Sequence, residues 1–112
     1  MTGMVYDKTL ASRVSDVLHR RRGFVEKKMF GGIGHLLHGN MCVGVWKDFL
    51  IVRVGIDQYE QLLKEPFTKE FDITGKVMRG WVMVDMPGVD GDEQLREWIE
   101  RAAKFVRTLP PK

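Results

Sequence analysis

The chain has one cysteine, Cys42, and so closes no internal disulfide. No apolar run approaches the ~20 residues that span a bilayer. The first residues, Met1 to Asp7, hold no basic stretch followed by an apolar core, so no secretory signal is visible. These absences point to a reducing, cytoplasmic protein with no membrane association. Charge of one sign is also in small excess. Against 15 Asp and Glu stand 18 Lys and Arg, a net charge of +3. That is compatible with nucleic acid but short of a dedicated polyanion binder. There is no internal repeat and no low-complexity tract. Proline is scarce, four in all, and two of them sit in the tail Leu109-Pro110-Pro111-Lys112, which cannot continue a helix. What is there suits one soluble domain, 1–112, with an ordered core over about 7–107: 112 residues, 44% hydrophobic and 29% charged.

Apolar spacing predicts a helix over 7–22, with Asp7 as N-cap, Leu10, Val14, Val17 and Leu18 on one face, and Gly23 as stop. A strand follows over 24–29. Residues 33–38 and 41–46 read as a hairpin turning at Gly39-Asn40. Residues 49–54 are apolar on both faces except at Arg53, which marks a central strand. Asp57 and Glu60 suggest a capping box opening a helix over 58–65, ended by Pro66. Residues 66–76 read as irregular, 77–85 as a strand, and 92–108 as a helix with the stripe Leu95, Trp98, Ile99, Ala102, Phe105, Val106 and Leu109. Strands cluster between helices. The expected class is therefore α+β, a two-layer domain with an antiparallel meander sheet and flanking helices.

Few residue patterns carry chemistry. His35, His38 and Cys42 are zinc-ligand types close in sequence. With a turn at Gly39-Asn40, Cys42 shares a face with Leu37 and His35 while His38 points away, so no metal site is expected. Cys42 lies mid-strand, the wrong place for a reactive thiol. The Gly31-Gly32-Ile33-Gly34 loop lacks a third dinucleotide-type glycine and leads into a strand, so no nucleotide cofactor is expected. Acids early and bases late in the last helix complement its dipole. Arg20, Arg21 and Arg22, with Lys27 and Lys28, form a basic cluster. The arginines spread over about 200° of helix azimuth. Dipole complementation at the end of the first helix is one reading, nucleic-acid backbone contact the other. Arg53 and Arg79 stand in apolar strands, so each needs an acid partner or an accessible anion.

The stretches Lys28-Met29-Phe30-Gly31-Gly32-Ile33-Gly34, Gly39-Asn40-Met41, Leu50-Ile51-Val52-Arg53-Val54, Met78-Arg79-Gly80-Trp81-Val82 and Leu95-Arg96-Glu97-Trp98 resemble the TfoX/Sxy N-terminal domain family, over about 7–107. The resemblance implies a two-layer α+β fold similar to type III secretion chaperones. Full-length members are bacterial competence regulators, thought to act with a cyclic-AMP receptor protein, and they carry a second, helical domain for which this chain is too short. The resemblance supplies no catalytic residues. It makes Phe30, Gly31, Gly32, Arg53, Arg79, Gly80 and Trp81, together with Gly39, a candidate binding surface.

Three functions are expected in order. The first is a non-enzymatic regulatory domain binding a protein partner such as a transcription factor. The second is direct nucleic-acid binding through Arg20, Arg21, Arg22, Lys27 and Lys28 and the basic end of the last helix. The third is a small-anion binder or enzyme using Arg53, Arg79 and the glycine loop. No resident cofactor is expected. A homodimer is expected to use Met41, Trp46, Trp81 and Met83 as an apolar patch.

Overall fold

Residues 6–29, 31–72 and 75–112 are described in a computed structural model. The element order is α1 (Lys8–Leu18), β1 (Phe24–Met29), β2 (Gly32–Leu37), β3 (Asn40–Trp46), β4 (Phe49–Arg53), α2 (Ile56–Leu62), β5 (Thr68–Glu70), β6 (Trp81–Val84), a 3-10 turn at Met86–Gly88 and α3 (Asp92–Val106). The six strands form one antiparallel sheet in the order β1-β2-β3-β4-β6-β5. This is the expected α+β class, with β4 inside the sheet.

The helices pack on one face of that sheet. Leu10, Val14 and Leu18 of α1, Tyr59 and Leu62 of α2, and Leu95, Trp98, Ile99, Ala102 and Val106 of α3 bury against Leu37, Val43, Val45, Leu50, Val52, Val82 and Val84. Asp7 caps α1 as the sequence suggests, accepting from the Leu10 N–H at 3.0 Å. The helix stops at Leu18, however. His19 Nδ1 approaches the Ser15 and Asp16 carbonyl oxygens at 3.2 and 3.1 Å, tying up the end of the ladder. Arg20, Arg21 and Arg22 therefore lie beyond the helix and not in its last turn, and dipole complementation no longer accounts for them.

The β2–β3 turn falls one residue earlier than expected. His38 and Gly39 carry φ of 52° and 83°, the positive pair of a tight primed hairpin, and Asn40 already pairs with Leu37. The tail holds the turn in place. Asn40 Nδ2 donates to the Pro110 carbonyl at 2.9 Å, and the Lys112 N–H to the His38 carbonyl at 2.8 Å. A second feature follows at once. Leu36 pairs with Met41 but His35 pairs with Val43, so Cys42 is a bulge residue. The bulge turns Cys42, Val43 and Val45 all toward the helices and leaves Gly44 and Trp46 on the other face. Simple alternation over 41–46 would have split them.

Three further expectations change. α2 begins at Ile56 after Gly55, so Asp57 sits inside the first turn and makes no capping box. Residues 66–76 contain β5, a three-residue edge strand too short and polar to show a period. Residues 77–80 are not strand, because Gly80 at φ 93° turns the chain into β6.

Candidate functional site

Register fixes which residues share a face, since partners in an antiparallel ladder project to the same side. The helix-free face carries Val25, Lys27 and Met29 of β1, Gly32, Gly34 and Leu36 of β2, and Met41, Gly44 and Trp46 of β3. Phe49, Ile51 and Arg53 of β4, Trp81 and Met83 of β6 and Lys69 of β5 complete it. Met41, Trp46, Trp81 and Met83 are thus on one face. Ile51 and Met83 are its buried centre, and Phe71 packs at 6.1 Å from Trp81.

The candidate surface is split between two ends of the sheet. Arg53, Arg79, Gly80 and Trp81 meet at one end. The Arg53 guanidinium lies 5.1 Å from the Trp81 ring and 5.7 Å from the Phe105 ring, and its Nη1 donates to the Met41 carbonyl at 3.4 Å. Arg53 thus meets its desolvation through rings and a carbonyl, and no acid pairs with it among the described residues. The Gly80 carbonyl accepts from the N–H groups of Val54 and Gly55. Arg79 lies over the Tyr59 ring and 3.6 Å from Glu60, an exposed pair of small energetic weight. Gly31 and Gly32 stand at the opposite end, beside Trp46. The four residue steps of β4 from Phe49 to Arg53 separate the two ends by about 13 Å. Phe30 lies outside the described residues. Gly39 is in the His38-Gly39 turn.

A groove of about 630 Å³ opens beside Arg53. Val54, Gly55, Ile56, Leu62 and Phe105 make its apolar walls, and Arg101, Lys104 and Asp57 line it with charge. Ile56 is 59% exposed, an unusual state for isoleucine. Gly55 has φ 85° and ψ 160°, and a Cβ there would come within 2.5 Å of the Phe105 ring. Sequence reasoning missed Ile56, Phe105, Arg101 and Lys104, because they come from segments far apart in the chain. The one local signal was Gly55, placed directly before a helix.

The basic cluster is dispersed. Arg21 turns inward to an ion pair with Glu100, while Arg20 and Arg22 are exposed. Lys27 and Lys28 project from opposite faces of β1, paired with Gly34 and Ile33.

The remaining reactive groups lie apart. His38 sits in the turn and is exposed, whereas His35 and Cys42 face the core. Burial pushes the Cys42 thiol up to about 12, which keeps it protonated and unreactive. His35 is fully buried, stacked on Phe24 at 6.1 Å, with Nε2 3.3 Å from Glu26 Oε2 but without hydrogen-bond geometry. Desolvation lowers its pKa, and the nearby Glu26 carboxylate pulls the other way without prevailing.

A pH dependence of stability follows. His35 holds its proton less tightly in the fold than in the unfolded chain, which protonates it at about pH 6.5. Below that pH the unfolded state binds more protons, so acidification destabilises the fold by up to about 1.4 kcal/mol per pH unit. Urea midpoints are expected to be level above about pH 7.5 and to fall between about pH 6.5 and 5. A His35→Gln variant loses that slope. An unchanged midpoint for the parent protein over the same range would refute the assignment.

No helix among the described residues is long and apolar enough to cross a membrane. No curated protein and no solved structure shows a significant match to the chain. The family model of the TfoX N-terminal domain matches residues 16–106, from the second half of α1 to the end of α3. The matched span takes in all six strands and two of the three helices, and with it the chain belongs to the TfoX N-terminal domain family.

Proposed function

We propose that this is a non-enzymatic regulatory domain that works by binding a protein partner, in the setting of competence and transcription control. The observation that carries this is the groove between α2 and α3. Its walls are apolar, Ile56 and Phe105 above all, and two cations, Arg101 and Lys104, line it against one acid, Asp57. A groove of that chemistry suits a protein segment presenting an apolar side chain next to a carboxylate. The adjoining Arg53, Trp81 and Gly80 extend the same end of the molecule. The single buried cysteine fits a reducing, cytoplasmic setting. An anion-binding or catalytic site built from Arg53, Arg79 and the glycine loop gains no support, since the loop lies at the far end of the sheet.

The test is a pull-down from the native cell after nuclease treatment, with the parent protein, an Ile56→Lys variant and a Lys104→Glu variant. Both side chains are exposed, so both variants are expected to fold. The reading expects a protein held by the parent and lost from both variants. Equal retention by all three would place the contact elsewhere.

A further inference from the structure

The helix-free face of the sheet has a second chemistry, which adjoins the groove only at Arg53 and Trp81. Among its fifteen strand positions there are three cations, Lys27, Arg53 and Lys69, and no carboxylate. The acids of β1 and β5, Glu26 and Glu70, pair with His35 and Val82 and so project to the helix side. Asp48, Asp72 and Asp85 stand in the connections at its rim. Aromatic rings alternate with the cations. Lys47 Nζ lies 4.7 Å from the Trp46 ring centre, Lys69 Nζ 4.8 Å from that of Phe49, and the Arg53 guanidinium 5.1 Å from that of Trp81. The rings form two pairs, Trp46 with Phe49 at 6.4 Å and Phe71 with Trp81 at 6.1 Å. These pairs sit toward opposite ends of β4. Beside them Gly34 and Gly44 face each other across β2 and β3, and the Met29 and Met41 side chains fold over them as an apolar floor.

We propose that this face binds single-stranded nucleic acid, with bases stacked on the two aromatic pairs and phosphates held by Lys27, Lys47, Lys69 and Arg53. The repeat of a single strand is a planar base joined to an anionic phosphate. The surface repeats the complement, a ring beside a cation. Lys47 and Lys69 are exposed, so a base arriving at Trp46 or Phe49 displaces an ammonium that then reaches a phosphate. A second copy of the chain fits this face poorly, because it would set like charges opposite one another. A duplex fits poorly too, because its bases are already stacked and it would meet the surface only through phosphates.

The probe is a fluorescent oligothymidylate of about twenty nucleotides, titrated by anisotropy against a duplex of equal length. Four cations on phosphates give a salt slope near −2.8, so affinity is expected to fall about 50-fold between roughly 50 and roughly 200 mM salt. A Lys27→Glu, Lys69→Glu double variant is expected to bind at least about tenfold more weakly and with a flatter salt dependence. Trp46→Leu is expected to lose roughly tenfold with the salt slope kept, the signature of stacking. Arg20→Glu with Arg22→Glu, and Ile56→Lys in the groove, leave binding within about twofold. The last of these separates this site from the protein-binding reading. The proposal is overturned by any of four results: no binding by the folded parent at low salt, equal binding of the duplex, an unchanged double variant, or displacement by polyglutamate as efficient as by unlabelled oligothymidylate. Closure of the face by a second copy, seen as a sedimenting dimer that Lys27→Glu with Lys69→Glu alters, also overturns it.

Discussion

Replacing Gly55 by alanine is expected to cost about 3 kcal/mol. Two independent penalties combine there. The backbone at φ 85° and ψ 160° occupies a region almost confined to glycine, because a Cβ collides with its own carbonyls. That Cβ would also lie 2.5 Å from the Phe105 ring, which must then leave its place against the sheet. The expected drop in melting temperature is roughly 12 °C. Gly75→Ala supplies the control. Its φ is 80°, yet nothing lies within 4 Å of its missing Cβ, so only the backbone cost of about 1 kcal/mol applies. If the two variants melt together, the Phe105–Gly55 contact does not shape the groove.

Gly32→Ala is expected to be at least as damaging, about 3 kcal/mol or more. Here φ is not positive. The obstacle is the Val45 carbonyl oxygen, 2.3 Å from where the Cβ would stand. Val45 is paired with Ile33 and with Leu50, so this oxygen belongs to backbone fixed from both sides and cannot yield as a side chain would. Gly31→Ala, at φ 77° and exposed, is expected to cost only about 1 kcal/mol. The comparison separates two readings of the glycine stretch. Were Gly31 and Gly32 ligand contacts, both alanines would spare stability and weaken binding. A large stability loss confined to Gly32 assigns that residue to the strand crossing. Chemical denaturation of the two variants side by side decides it.

The legible parts of the fold are those governed by local chemistry. The Asp7 cap and the α3 stripe follow from one side-chain acceptor and one clean helical period. The Cys42 bulge was hidden because Cys42 and Val43 are both small and apolar, and nothing in a run of such residues marks where alternation skips. β5 was hidden because Thr68-Lys69-Glu70 owes its strand state to β6 and not to its own composition. At the functional level, Arg53 was visible as a charge breaking an apolar strand, and the sheet's second face was foreshadowed by Met41, Trp46, Trp81 and Met83. Register alone brings Lys27 and Lys69 onto that face and sends Lys28 to the other. The groove depends on Phe105 meeting Gly55 across fifty residues, a contact no local pattern encodes.

In the proposed function, the end of the molecule around Ile56, Phe105, Arg101 and Lys104 holds a protein partner. The most direct measurement is the nuclease-treated pull-down, read as the ratio of partner retained by Ile56→Lys to that retained by the parent, with melting temperatures matched. The expected ratio is near zero, returning toward one when Lys is placed instead at exposed Gln94, on the far end of α3. A ratio near one for Ile56→Lys would contradict it.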